Sequence, residues 1–99
     1  GAYLSPEVAR RVIDELDTSG NGPSRTAAAR ERVGLLTGRE RDVLVLVGEG
    51  CSNDEIARRL KIAPGTVKVH VGSILTRLDV RNRVQAAVLA HEAGLIRRP

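Results

Sequence analysis

Thr66-Val67-Lys68-Val69-His70-Val71-Gly72-Ser73-Ile74-Leu75-Thr76-Arg77-Leu78 is the stretch on which the reading of this chain turns. At 3.6 residues per turn, Val67, Val71, Ile74, Leu75 and Leu78 fall at i, i+4, i+7, i+8 and i+11 and make one apolar stripe. Gly65, Lys68, Val69, Gly72, Ser73 and Thr76 occupy the other side, which carries one cation, one valine and otherwise small residues. A face that slim can approach base edges in a DNA groove. An ordinary solvated face carries several long charged side chains. Taken alone, the stripe is more simply that of a common amphipathic core helix.

The residues before it favour the groove reading. Ser52-Asn53-Asp54-Glu55 has the form of a capping box, with Ser52 as N-cap and Glu55 reaching back, so a helix should start there. Ile56, Ala57 and Leu60 give that helix an apolar side. Lys61-Ile62-Ala63 breaks the pattern, and Pro64 suits the first turn of the next helix, where its missing N–H costs nothing. A short helix, a tight turn and a longer slim-faced helix make a helix-turn-helix.

Composition and charge narrow the function. Ninety-nine residues suffice for one small domain with an extension. Tyr3 is the one aromatic residue, which argues against binders of single strands or RNA that stack bases on aromatic rings. Net charge is +4 and is unevenly placed. Residues 1–63 balance, and the whole excess lies over 64–99, with Lys68, Arg77, Arg81, Arg83, Arg97 and Arg98 against Asp79 and Glu92. A polyanion would be met there. Cys51 is alone, which excludes a disulfide within the chain, and His70 and His91 lack a nearby cysteine partner, so no metal site is expected. No catalytic constellation, cofactor or small-molecule substrate is expected either. No apolar run approaches the roughly 20 residues of a membrane span, so a cytoplasmic protein without membrane contact is expected.

Near the N-terminus, Ser5-Pro6 and the stripe Val8, Val12, Ile13 and Leu16 predict a short helix ending about Leu16. Asp17 to Ser24 reads as loop, and Arg25 to Arg32, which could extend weakly as helix, as linker. The expected organisation is a linker helix and tether over 1–32, then a four-helix domain over 33–99. Its first helix starts at a second capping box, Thr37 to Glu40, buries Val43, Leu44, Leu46 and Val47, and ends at Gly48 and Gly50. Its last helix has an N-terminal box, Asn82 to Gln85, and ends near Gly94. Ala86, Leu89, Ala90 and Ala93 form one apolar stripe of that helix. Val84, Ala87, Val88 and His91 form another, almost opposite, which wants a partner.

Leu36-Thr37-Gly38-Arg39-Glu40-Arg41-Asp42-Val43-Leu44, Ser52 to Leu60, Thr66 to His70 and Asn82 to Ala87 together resemble the successive signatures of the LuxR/NarL-type DNA-binding domain, from about Val33 to Ile96. The resemblance implies an all-α, four-helix domain that binds promoter DNA as a homodimer through its fourth helix. Such a domain is usually the output half of a two-component response regulator. In that setting Lys68, Val69 and Gly72 are the candidate base contacts, with Lys68 donating to guanine and Val69 packing on a thymine methyl. Lys61, Arg77, Arg81 and Asn53 are the candidate phosphate contacts, and Thr66 either joins them or completes the helix cap. Arg83 is a signature residue that serves either structural pairing or phosphate. Val84, Ala87, Val88 and His91 are the expected dimer contacts. Three residues depart from the family pattern. Gly72 replaces a longer side chain, Ala63 replaces a hydroxyl cap, and Lys61 stands at a turn position where positive φ is expected. The alternatives are a protein-interaction module of the same fold, contacting RNA polymerase or another regulator, and a promoter-reading region of a sigma factor.

Overall fold

Four N-terminal caps and four left-handed residues mark out the helices, and both kinds of signal are local. The computed structural model describes residues 22–96, with side chains from residue 25. Five helices and no strand occur among the described residues: α1 (Gly22–Val33), α2 (Gly38–Gly48), α3 (Asn53–Leu60), α4 (Pro64–Leu78) and α5 (Arg83–Glu92). The all-α expectation holds, and α2 to α5 are the four helices expected of the domain. The helix expected between Ser5 and Leu16 lies outside the described residues.

Both anticipated capping boxes of α2 and α3 are complete. The Thr37 amide donates to Glu40 Oε1 at 2.9 Å while Thr37 Oγ1 accepts from the Glu40 amide at 3.1 Å. Ser52 and Glu55 exchange the same pair of bonds. The box at α5 is only half formed. Asn82 Oδ1 accepts from the Gln85 amide, but the Gln85 side chain accepts from the Arg81 amide, one residue earlier than expected. Ala63 caps α4 with backbone alone, and Pro64 supplies the preset first turn.

The helix ends share one device. After α2, the Cys51 amide donates to the Leu46 carbonyl and the Gly50 amide to Val47, with Gly50 at φ 88°. Lys61, Asp79 and Gly94 hold the same left-handed place after α3, α4 and α5, with φ of 58°, 55° and 75°. The positive φ expected at Lys61 is present. That at Asp79 was not anticipated, although aspartate is among the residues that tolerate it.

Val43, Leu44, Ile56, Val67, Ile74 and Leu78 are the largest fully buried side chains, contributed by α2, α3 and α4. Each contributes about 1.5–3 kcal/mol by leaving water. α5 closes the core with Ala86, Leu89, Ala90 and Ala93, packing chiefly on α2. Their small size lets the two helix backbones come close. Gly48 on α2 is part of that approach, since a Cβ there would lie 2.5 Å from Ile96 Cδ1 and 3.4 Å from Ala90 Cβ.

The stretch expected as linker is instead structured. Arg25 to Arg32 lies within α1, which begins at Gly22 inside the expected loop and buries Ala29 and Val33 against the core. Its arginines reach the C-terminal ends of two other helices. Arg25 pairs with Glu92 at 3.0 Å, Arg30 Nε donates to the Ala93 carbonyl at 3.4 Å, and Arg32 Nη1 to the Leu78 carbonyl at 3.3 Å. Helix C-terminal carbonyls lack intrahelical partners and carry partial negative charge, so cations are favoured there. Weak apolar periodicity hid α1, because a helix held on two small buried residues and its arginines shows little stripe.

Candidate nucleic-acid interface

The core fixes which side of α4 faces out. Val67, Ile74 and Leu78 are buried and Val71 and Leu75 half-buried, which leaves Gly65, Thr66, Lys68, Val69, Gly72 and Thr76 exposed. Val69 is 70% exposed on this face. Nothing lies within 4 Å of where a Gly72 Cβ would be. Lys68, Val69, Gly72, Ser73, Thr76 and Arg77 line a shallow open groove along this face. The expected base-contacting trio is thus together on one accessible surface. Thr76 is quieter than its exposure suggests, since its hydroxyl donates back to the Gly72 carbonyl at 3.2 Å.

The expected phosphate-contacting residues divide. Lys61, Thr66 and Arg81 are exposed, and neither Lys61 nor Arg81 forms an ion pair among the described residues. Asn53 is half-buried, and its Oδ1 accepts from Arg83 Nη1 at 2.5 Å. Arg83 Nη2 donates to the Cys51 carbonyl at 2.6 Å. Arg83 thus takes part in the structural pairing expected as one of its two roles. From the first turn of α5 it binds the segment leading into α3, and so holds the helix-turn-helix on the fourth helix. The Cys51 side chain is buried.

Arg77 differs from the other cations. Its Nε lies 3.3 Å from Oε1 of Glu40, a carboxylate whose side chain is 6% exposed. The Thr37 backbone bond holds the Glu40 carboxyl below its ordinary value of 4.5. Burial opposes that shift, and the Arg77 charge and the Thr37 and Ser73 hydroxyls add to it. The sequence shows Glu40 as a helix cap and Arg77 as a groove cation, but no local spacing joins residues 37 apart.

The second stripe of α5 is less bare than its pattern implies. Val84 is 71% exposed. Ala87 packs on the core, Val88 is half-buried, and His91 Nε2 lies 3.0 Å from the Gly48 carbonyl. No helix among the described residues is long and apolar enough to cross a membrane.

Comparison with known proteins finds that residues 34–90 match the model of the bacterial regulatory proteins of the luxR family. The chain is 47% identical over 66 residues to the nitrate/nitrite response regulator protein NarL of Escherichia coli (strain K12), covering 67% of this chain and 31% of that protein. It is 42% identical over 93 residues to the transcriptional regulatory protein LiaR of Bacillus subtilis (strain 168), covering 94% of this chain and 41% of that protein. With the response regulator protein VraR of Staphylococcus aureus (strain Mu3 / ATCC 700698) it shares 45% over 62 residues, 63% of this chain and 30% of that protein. Each of these relatives is more than twice as long as the chain. Full-length FixJ from B. japonicum has a similar fold, with TM-score 0.66 and 24% identity, over 97% of this chain and 49% of that one.

Proposed function

The chain belongs to the luxR family of bacterial regulatory proteins, and from that membership we propose that it binds double-stranded promoter DNA sequence-specifically and regulates transcription. It does so as the output part of a two-component response regulator, in the cytoplasm, and not as an enzyme. The observation that carries this reading is the division of α4, with Val67, Ile74 and Leu78 buried and Lys68, Val69 and Gly72 open along one groove.

Lys68 donates to a base edge and Val69 covers a thymine methyl, while Gly72 lets the helix lie deep. Lys61, Thr66 and Arg81, with the free amide of Asn53, hold backbone phosphates and set the helix in register without reading sequence. The protein occupies two half-sites as a homodimer through Val84, Ala87, Val88 and His91, and Val84 carries the largest exposed apolar surface of that set. The DNA-binding unit spans 33–99, with α1 packed on it as the structured end of a tether over 1–32.

Binding-site selection from random duplex DNA, followed by mobility shift against salt, tests the reading. Two related half-sites and a steep loss of affinity with salt are expected. No enriched sequence and no shifted duplex at low salt would sink it.

A further inference from the structure

Four cations stand on or beside the outer surface of α4: Lys61, Lys68, Arg77 and Arg81. Arg77 alone among them has a carboxylate partner in the described residues. That partner is unusual. Glu40 is the one buried charged residue of the described chain, at 4% exposure, and it comes from α2, the scaffold helix. Its Oε1 takes the Thr37 amide at 2.9 Å and stands 3.3 Å from Arg77 Nε. The Ser73 hydroxyl, one turn before Arg77, adds to the stabilisation of the same carboxylate. Ser73 and Arg77 both border the groove. One buried carboxylate therefore holds the last turn of α4 from behind, through Arg77.

We propose that Glu40 is a positioning residue for DNA reading. It holds Arg77 to the scaffold, so that this cation fixes the placement of α4 and does not neutralise a phosphate. The proposal rests on the DNA reading above and goes beyond it in reassigning one expected phosphate contact. A guanidinium beside a carboxylate presents little net charge at the distance of a phosphate. The salt dependence of binding counts cations that displace counterions from the backbone. A neutral pair should be nearly silent in that count, whereas Arg81 should not. Glu40→Gln removes the charge and keeps an oxygen for the Thr37 amide. Arg77 is then free to swing onto a phosphate, where it would add affinity for any sequence and loosen α4.

The test is a fluorescence-anisotropy titration of the full chain on selected and random duplexes, between roughly 50 and 200 mM salt. Wild type, Glu40→Gln, Arg77→Gln, Arg81→Gln and the Glu40→Gln/Arg77→Gln double variant are compared, with thermal melts confirming that each is folded. Glu40→Gln should steepen the log–log salt slope by up to about 0.9, tighten binding to random DNA, and lower the selected-to-random ratio several-fold. Arg77→Gln should leave the slope within about 0.3 of wild type, while Arg81→Gln flattens it by about 0.9, and the double variant should restore the wild-type slope. A merely structural Glu40 would change stability and leave these slopes alone. An unchanged slope in Glu40→Gln overturns the proposal, as does an Arg77→Gln loss equal to that of Arg81→Gln. Arg77 is half-exposed, so its arm decides the matter even if Glu40→Gln does not fold. Wild type that binds no duplex overturns the DNA reading itself, a failure distinct from altered slopes on a protein that binds.

Discussion

α4 and α5 both turn small or apolar residues outward, yet their settings differ. The outer face of α4 has Val69 and Gly72 beside Lys68, with Lys61 and Arg81 beyond its ends. The outer face of α5 has Val84 and Val88 beside a histidine that contacts the Gly48 carbonyl, and Ala87 already leans on the core. Cations around a bare helix suit a polyanion, whose phosphates position the helix before bases are read. An apolar patch suits another protein surface. Two helices that both turn apolar residues outward can thus serve different partners, because Lys68 stands on the α4 face itself while Val84 and Val88 dominate that of α5.

The heaviest way to break this comparison is to attack the buried faces, which should be equivalent. Ile74→Ala in α4 and Leu89→Ala in α5 should each remove about 2–5 kcal/mol of unfolding free energy, read from denaturant midpoints. A small loss at either would mean that its helix is not anchored as its exposure of only 1% or 6% implies.

The outer faces should then separate. Lys68→Ala should leave the denaturant midpoint unchanged but weaken binding to a selected site by about 1–3 kcal/mol, with relaxed preference at one base position per half-site. An unaltered consensus from repeat selection would remove Lys68 from the base contacts. Val84→Glu should do the reverse. Single half-site affinity should persist, and the coupling between two half-sites, of about 1–2 kcal/mol, should vanish. Undiminished cooperativity would leave α5 without its partner role. Val84 is a cleaner target than Val88, which is half-buried.

The smallest expected effect sharpens the contrast between the scaffold cap of α2 and that of α3. Glu40 and Glu55 both titrate below the ordinary 4.5, each chiefly through a bond from its N-cap amide. A carboxyl whose folded value is depressed adds stability that is complete above its unfolded value. That stability is lost as pH falls through the unfolded value toward the folded one. Melting temperature should therefore decline below about pH 4.5, and Glu40→Gln should flatten that decline more than Glu55→Gln, since Glu55 is exposed and screened. Equal flattening by both variants would show that the Arg77 pairing adds nothing to the cap.

Much of this was legible in the chain because the signals are local. The boxes at Thr37 and Ser52, Pro64 at the start of α4, the left-handed place at Lys61 and the apolar stripe from Val67 to Leu78 all follow from residues within a few turns. The bare face of α4 followed from the same stripe. The box at Asn82 was read one bond too far, since Gln85 can reach the Arg81 amide as readily as that of Asn82. α1 was missed because its hold depends on Leu78, Glu92 and Ala93, some 46 to 67 residues away.

The sequence by itself determined where helices α2 to α5 begin and end and which side of each is apolar, because caps, turns and periodicity are properties of neighbouring residues. Tertiary structure alone decided which polar groups far apart in the sequence meet. It set Arg83 on Asn53 and the Cys51 carbonyl, gave Arg77 to Glu40, and laid α1 across the ends of α4 and α5. The physical reason is range. A guanidinium on a long flexible stem can satisfy its donors on any oxygen the packing brings near, and which oxygen that is depends on how the apolar faces have closed.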